Sequence, residues 1–209
     1  MRRKRVVCCV PVSWPYIATE CFMSCLDMKE YSFNKDYQLV FIYGRSCYID
    51  HNREGLVDTA LTLKPDYILW LDVDAIYPKD LPAIFIKHID DGKLLISGFY
   101  VRKDNGLPSV YTFEKDMFDQ RERAHLRALE RNTGVIPIDA TGLQGVMMHP
   151  SVFNDIERPY FYIDHKNKEG EDIRFYRMCR EVGIQTWCDT SVYVPHLDLR
   201  EIPIKQAKK

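Results

Sequence analysis

The sequence predicts an α/β protein whose central sheet is mostly parallel and is covered by helices on both faces. Three continuously apolar runs in the first third of the chain have the composition of buried strands, at residues 5–11, 38–43 and 67–73. The segments between these runs carry apolar residues at intervals of three or four, which is helical spacing. Strands that alternate with helices pair in parallel, because each helix returns the chain across the sheet.

The boundaries in the first half follow from residues that end strands and helices. Pro11 and Gly44 end the first two strands, and Pro65 ends the second helix. The predicted elements, in chain order, are a strand at 5–11, a helix at 16–29, a strand at 38–43, a helix at 46–63, a strand at 67–73, a helix at 79–88 and a strand at 94–100.

The second half is predicted to combine short strands with two helices. Residues 117–130 are charged and have helical propensity, and residues 171–182 are amphipathic and end at Gly183. Strands are predicted at 109–113, 135–140, 145–149, 184–188 and 191–194. Because the chain has no internal repeat, linker or shift in composition, it is predicted to form one domain over residues 1–209, with a polar tail at 201–209.

The composition excludes several classes of protein. Hydrophobic residues make up 46% and charged residues 28%, which is typical of a globular protein and not of a disordered or collagen-like chain. The 29 Lys and Arg nearly balance the 30 Asp and Glu, whereas a nucleic-acid coat protein is strongly basic. No apolar run is long enough to span a bilayer, and no signal-peptide pattern follows the basic start. We therefore expect a cytoplasmic protein with reduced cysteines and no membrane span.

The most informative residues are two aspartates after the third predicted strand. Asp72 and Asp74 flank Val73 at the carboxyl end of a buried run, where open α/β sheets bind their ligands. Carboxylate oxygens suit Mg²⁺ or Mn²⁺, which complete their coordination with substrate phosphates. In the alternative interpretation, Asp72 caps a turn and Asp74 caps the next helix.

A second group of candidate residues lies in the last quarter of the chain. Glu171 and Asp172 begin an amphipathic helix, where they act on a ligand or interact favourably with the helix dipole. His196 follows the last strand, and the chain order allows it to reach the same sheet edge as Asp74. Between the two acidic groups, residues 139–145 contain two glycines, which permit close approach to a ligand or form a tight hairpin turn.

Taken in order, these motifs resemble the glycosyltransferases of the GT-A fold, particularly the compact family-2-like enzymes. The resemblance covers most of the chain. The matching motifs are the Pro-x-Ser loop at Pro11, Val12 and Ser13, the strand end LWLDVD, the strand SGFY that ends at Tyr100, the turn with Thr141, Gly142 and Gly145, the Glu-Asp helix start, and the closing segment EVGIQTWCDTSVYVPH. The family's Arg-Asn pair occurs here in reversed order, as Asn52 and Arg53.

The resemblance implies a Rossmann-like three-layer sandwich with a nucleotide-binding half at about 1–100 and an acceptor-side half at about 101–200. It also implies a metal-dependent enzyme that transfers a sugar from a nucleotide-diphosphate sugar, with a UDP-sugar favoured, to a hydroxyl acceptor. Because no export or membrane signal is recognised, we expect an acceptor that is reachable in the cytosol, namely a glycan, a protein side chain, a small molecule or a hydroxylated DNA base.

Individual roles are implied by the same resemblance. Asp172 is the general base of an inverting reaction, and Glu171 orients a substrate. The donor contacts are Pro11, Val12, Ser13, Arg53, Asp72, Val73 and Asp74, with Arg53 on the diphosphate. The ligands of Mn²⁺ or Mg²⁺ are Asp72, Asp74 and His196. The acceptor-side residues are Tyr100, Thr141, Gly142 and Gly145, and the aromatic residues expected to stack on base or sugar are Trp14, Tyr16 and Tyr100.

Three other classes of protein share part of this pattern. A nucleotidyltransferase has the same sheet and metal carboxylates, but its first strand is normally followed by a glycine-rich basic loop, and VCCVPVSWP contains no glycine. A metal-dependent nuclease uses similar carboxylates, but it needs a basic groove. A non-catalytic module that binds sugar nucleotides keeps the scaffold without the chemistry.

Overall fold

The computed structural model describes residues 2–13, 17–116, 121–198 and 200–201. The strands are β1 (Lys4–Val12), β2 (Tyr37–Arg45), β3 (Tyr67–Trp70), β4 (Leu95–Phe99), β5 (Val110–Lys115), β6 (Glu122–Leu126), β7 (Val135–Ile138), β8 (Ala140–Thr141), β9 (Val146–Met148), β10 (Thr186–Tyr193), β11 (Leu197–Asp198) and β12 (Arg200–Glu201). The helices are α1 (Thr19–Tyr31), α2 (Ile49–Thr62), α3 (Leu81–Asp90), α4 (Val152–Asp155) and α5 (Glu171–Glu181).

In the described part of the chain, the main sheet has seven strands in the order β2-β1-β3-β9-β4-β10-β7. β1 pairs in parallel with both β2 and β3, and β4 pairs in parallel with β10. β9 is antiparallel to β3 and β4 on either side of it, so β3 and β4 run in the same direction. β7 closes one edge antiparallel to β10. The prediction of a mixed, mostly parallel sheet is therefore confirmed.

Helices cover both faces of the sheet because successive residues of β1 point to opposite sides. Val7 and Cys9 pack in one buried cluster with residues of α2 and α5, such as Val57 and Phe175. On the other face, Val6 and Cys8 pack with residues of α1 and α3, which are represented in the cluster by Cys21, Met28 and Phe85. This arrangement is the predicted three-layer sandwich. Within the described ranges, no helix is long and apolar enough to cross a membrane.

The prediction of a helix over 117–130 is wrong where the structure describes these residues, since 122–126 form strand β6. β6 pairs with β5, which also pairs with β8 in a small three-stranded sheet. Glu122 of β6 accepts hydrogen bonds from Arg177 and Arg180 of α5 at 2.6 Å and 2.9 Å. These contacts with distant parts of the chain override the local helical propensity. Residues 117–120 lie outside the described ranges.

Two smaller differences affect the position of functional residues. The predicted strand over 67–73 ends at Trp70, so the two aspartates that follow lie in a turn and not in the strand. The predicted strands 184–188 and 191–194 form one strand, β10, whose pairing with β4 shifts register between Asp189 and Tyr193. Most of the predicted polar tail, residues 202–209, lies outside the described ranges.

Candidate active site

The turn after β3 and the segment after β10 meet at the carboxyl end of the sheet. We call residues 72–74 the acidic turn. Ala75, directly after the turn, forms an antiparallel bridge with His196. The backbone N–H of Leu197 donates to the Asp74 carbonyl at 2.7 Å. These backbone contacts place His196 beside the acidic turn, on the edge that chain order predicts for it.

The two carboxylates of the acidic turn each contact a different cation. Asp72 Oδ1 lies 3.3 Å from Nη2 of Arg53, and the Asp74 carboxylate forms an ion pair with the Lys103 ammonium. Neither aspartate caps the next helix, because the N-cap of α3 is Asp80. The side chain of Asp74 is 39% exposed, so its carboxylate is accessible from solvent. The arrangement does not match the capping interpretation of these two residues.

The side chains at this edge can supply only part of the coordination of a divalent cation, and water or phosphate would complete it. Among the residues that the structure describes, no group of three or more His, Cys, Asp or Glu side chains is placed to hold a metal ion, so Asp72, Asp74 and His196 do not form a complete ligand set. Mg²⁺, however, is usually held by one or two protein carboxylates and completes its coordination with water and substrate phosphates. The acidic turn supplies these carboxylates, and the Lys103 ammonium already occupies a cation position on Asp74.

Arg53 is a buried cation between the acidic turn and α5. Its side chain is 6% exposed and pairs with both Asp72 and Glu171, which are far apart in sequence. Burial by itself lowers the pKa of Arg53, but the nearby carboxylates of Asp72, Glu171 and Asp172 outweigh it and raise this pKa. The two Nη atoms are engaged with protein carboxylates, whereas the buried Nε has no hydrogen-bond partner within the described residues. The diphosphate contact that was predicted for Arg53 stays a prediction.

Glu171 and Asp172 begin α5 without capping it through a side-chain hydrogen bond, since the N-cap is Gly170. Asp172 Oδ1 accepts a hydrogen bond of 2.7 Å from the backbone N–H of Ile173. Burial raises the pKa of both carboxyl groups, and the charge of Arg53 opposes this rise. A carboxylate with a raised pKa is a stronger base than one in water, which suits proton abstraction.

The glycine-containing turn at residues 141–145, the acceptor-side turn, lies against Asp172. A Cβ atom added to Gly142 would be 3.5 Å from Asp172 Oδ2 and would overlap the Tyr100 hydroxyl oxygen. The Gly142 carbonyl also accepts a hydrogen bond of 3.1 Å from the Tyr176 hydroxyl. Gly145, at the other end of the turn, has a φ angle of +65°, which L side chains rarely adopt. Both glycines are therefore required by the geometry of this turn.

Two of the residues predicted for the acceptor side, Tyr100 and Thr141, are buried beneath the surface of the site. Tyr100 is 3% exposed and its ring packs edge-on against His196, with 5.4 Å between ring centroids. It is therefore not open to stack on a base or a sugar. Thr141 is fully buried and donates a hydrogen bond of 2.6 Å to the Ser109 carbonyl. Trp14 and Tyr16, the other predicted stacking residues, lie outside the described ranges.

Unpartnered polar atoms mark the ends of the first two strands. Pro11 and Val12 belong to β1, and Pro11 pairs with Gly44 of β2. Within the described residues, the buried Ser13 hydroxyl and both side-chain polar atoms of the buried Asn52 have no hydrogen-bond partner. Buried polar groups are almost always hydrogen-bonded, so the unpaired atoms of Ser13 and Asn52 are candidates for contact with a ligand. In the sequence, Asn52 stands out only as part of a reversed motif, and no motif marks Lys103.

Substitution of Gly142 is expected to destabilise the acceptor-side turn through one atom, the Tyr100 hydroxyl oxygen. We expect Gly142→Ala to lower the melting temperature and Gly142→Val to lower it further. The double variant Gly142→Ala, Tyr100→Phe should recover most of the loss, because the next nearest atom, Tyr100 Cζ, is 3.4 Å from the new Cβ. Thermal unfolding measures each variant.

The control for this series is Gly55→Ala, since a Cβ at Gly55 of α2 meets nothing within 4 Å. It should keep or raise the melting temperature, because alanine favours helix over glycine by about 0.5–1 kcal/mol. If Tyr100→Phe fails to restore Gly142→Ala, the overlap with the hydroxyl oxygen is not the cause of the damage.

Comparisons with known proteins show the fold but no family. No protein-family model matches this sequence, and no curated protein matches it. A solved structure titled "Crystal Structure of A197 from STIV" is similar over 98% of this chain and 95% of its own, with a TM-score of 0.63 and 20% sequence identity. At this identity the likeness concerns the fold alone. Together with the strand order, it confirms the predicted fold class, an α/β three-layer sandwich with a mostly parallel mixed central sheet.

Proposed function

We propose that this protein is a glycosyltransferase that moves a sugar from a nucleotide-diphosphate sugar to a hydroxyl group with inversion of configuration. The observation that carries the proposal is the placement of Arg53. Its buried guanidinium joins Asp72 of the acidic turn to Glu171 at the start of α5. A donor-side carboxylate and the candidate general base, Asp172, are thus brought to one edge of the sheet, as this reaction requires.

The donor half of the site is proposed to combine the acidic turn with the ends of β1 and β2. The polar side chains of Ser13 and Asn52, which have no hydrogen-bond partner within the described residues, are proposed to turn toward a bound nucleotide. Asp72, Asp74, Glu171 and Asp172 exceed the cations Arg53 and Lys103 by two, so an anionic diphosphate alone is repelled. Mn²⁺ or Mg²⁺ bound at Asp72 and Asp74 with the phosphates would neutralise the charge that develops on the leaving diphosphate.

The acceptor half is proposed to operate through Asp172. The acceptor hydroxyl donates a hydrogen bond to this carboxylate and transfers its proton there as its oxygen attacks the anomeric carbon. The bond from the anomeric carbon to the diphosphate oxygen breaks on the opposite face, so the configuration inverts. Arg53 keeps Glu171 and Asp172 available as carboxylates by opposing the effect of burial on their pKa values.

Other classes fit the arrangement less well. A nuclease needs a basic groove for its substrate backbone, whereas at this site the four carboxylates of Asp72, Asp74, Glu171 and Asp172 outnumber the two cations, Arg53 and Lys103. A nucleotidyltransferase needs a glycine-rich loop after the first strand, and residues 11–13 contain no glycine. A non-catalytic module differs from the transferase in its chemistry, so an assay separates them.

The assay measures nucleoside diphosphate released from a panel of nucleotide sugars, with UDP-sugars first, in the presence of Mn²⁺ and simple hydroxyl acceptors. We expect release with at least one donor, and we expect Mn²⁺ and the matching nucleoside diphosphate together to raise the melting temperature. Binding without release from any donor identifies a binding module instead. No change in melting temperature with either ligand in excess contradicts the proposed donor site.

Asp74→Asn is expected to abolish the metal-dependent part of this thermal shift while the protein remains folded. The side chain is 39% exposed and caps no helix, so its charge contributes little to stability. Thermal unfolding with and without Mn²⁺ and nucleoside diphosphate measures both effects. The matched control is Asp104→Asn, which breaks an exposed pair with Arg102 on the adjacent loop and should keep the full shift. An unfolded Asp74→Asn variant would assign this residue a structural role.

A further inference from the structure

Lys103 lies at the donor site but is not explained by the proposed reaction. It belongs to the loop that connects β4 to β5, and its ammonium pairs with Asp74. A bridge between Val101 and Pro108 closes the loop, and the Arg102 N–H donates to the Leu107 carbonyl at 2.9 Å. These backbone contacts close the loop, and the Lys103 ammonium reaches the acidic turn.

The Lys103 ammonium can leave Asp74 for another partner at little energetic cost. Both side chains are more than one third exposed, so water screens their attraction. A lysine ammonium is a point charge at the end of four flexible carbons, and it can move to a new partner without any change in the backbone. A divalent cation that binds Asp74 repels this ammonium, because two positive groups cannot share one carboxylate without a large electrostatic cost.

We infer that Lys103 changes partner when the donor binds: its ammonium rests on Asp74 in the free protein and moves to the donor diphosphate when a divalent cation takes Asp74. This inference depends on the proposed function, since it assumes a metal-bound diphosphate at the acidic turn. Lys103 then has two opposite effects. It weakens binding of the metal alone, because it competes for Asp74, and it strengthens binding of the diphosphate, because it adds a positive contact.

Lys103 is expected to weaken the binding of the metal and to strengthen the binding of the diphosphate, so one variant tests both effects. Lys103→Met removes the charge and keeps most of the side-chain length. The first titration follows Mn²⁺ binding without nucleotide, by calorimetry or by the electron paramagnetic resonance of free Mn²⁺. We expect the variant to bind Mn²⁺ about three- to tenfold more tightly than the wild type, since a competing and repelling charge is removed. The second titration adds UDP, GDP or inorganic pyrophosphate at saturating Mn²⁺. Here we expect the variant to bind several-fold more weakly.

The matched control is Lys4→Met, which removes another lysine paired with an aspartate. Lys4 is the first residue of β1, at the amino end of the strand and therefore far from the acidic turn at the carboxyl ends, and its Nζ lies 2.7 Å from Asp90 Oδ2. Neither titration should change in this variant, so a general effect of net charge would be visible there. If Lys103 has only a structural role, Lys103→Met should bind both Mn²⁺ and the phosphate probe more weakly than the wild type.

The outcomes separate this inference from the proposed function. Equal Mn²⁺ affinity in wild type and Lys103→Met, or changes of the same sign in both titrations, overturns the exchange of partners while the glycosyltransferase proposal stands. If Mn²⁺ binds more tightly to the variant but none of the three phosphate probes binds either protein, the proposed donor site is wrong, and the diphosphate half of the inference is wrong with it.

Discussion

Replacement of Asp172 by Asn is expected to lower the transfer rate by about 10²–10⁴-fold and to leave donor and metal affinity unchanged. The asparagine side chain has the same size, and its oxygen can still accept the 2.7 Å hydrogen bond from the Ile173 N–H. The variant therefore loses basicity with little structural cost. Measurement of single-turnover transfer and of donor affinity in parallel separates the chemical step from binding.

The pH dependence of the wild type provides an independent check on Asp172. Burial raises the pKa of this carboxyl above the usual aspartate value. A general base acts only when deprotonated, so kcat/KM should rise with pH through a midpoint above the ordinary aspartate range, and the rise should disappear in Asp172→Asn. Glu181→Gln, at the exposed far end of the same helix, serves as the control with unchanged kinetics. Retention of anomeric configuration in the fresh product, seen by NMR, would remove the need for a base.

Replacement of Arg53 by Met is expected to cause the largest loss of stability of any substitution at the site. Its guanidinium is the counter-charge for Asp72 and Glu171, and its removal leaves these carboxylates close together without a partner. Breaking a buried ion pair by removal of one partner typically costs about 3–5 kcal/mol. Equilibrium denaturation measures the loss. The double variant Arg53→Met, Glu171→Gln should recover part of it, because one unpaired charge is then absent.

The stability of Arg53→Met should also depend on pH in a defined direction. Burial already raises the pKa of Glu171, and Arg53 limits this rise. Without Arg53 the folded-state pKa increases further above the unfolded-state value of about 4.3. Between these two values the unfolded chain releases a proton that the folded chain retains, so stability falls as pH rises. The deficit relative to wild type should be small near pH 4 and complete at neutral pH.

Arg158→Met is the control for this series, because Arg158 also pairs with two carboxylates, Glu54 and Asp58, but at the surface. Water screens that cluster, and its loss should change stability little at any pH. A similar deficit in both variants, or a deficit of Arg53→Met that does not depend on pH, contradicts the role of Arg53 as the counter-charge of the site.

Local patterns in the sequence were sufficient for most of the fold. Continuous apolar runs located β1, β2, β3 and β4, and the amphipathic spacing after Gly170 located α5. The same patterns failed at 117–130, where charged residues of helical propensity form β6. Its arginine partners on α5 are more than fifty residues away, as the separation of 55 between Glu122 and Arg177 shows. Propensity describes the neighbours in sequence, and it carries no information on such partners.

The residues of the candidate site that directly follow a strand or begin a helix at the carboxyl end of the sheet could be predicted from the sequence. The aspartates after β3 and the glutamate and aspartate of α5 lie at one edge, and the bridge between Ala75 and His196 adds the histidine. The ion pairs were not predictable, because Arg53 and Glu171 are separated by 118 residues and Lys103 lies in a loop without a motif. Tertiary packing decides which carboxylate a cation contacts, so the spacing of residues along the sequence does not reveal the pair.

The insertion of β9 between β3 and β4 connects the two turns of the candidate site. Gly145, directly before β9, donates to the Trp70 carbonyl and accepts from the Gly98 N–H, both at 3.1 Å. The acceptor-side turn is thereby joined by backbone hydrogen bonds to the strand that precedes the acidic turn. Neighbouring strands are about 4.8 Å apart. In the proposed reaction, the sheet itself would therefore set the separation between donor and acceptor.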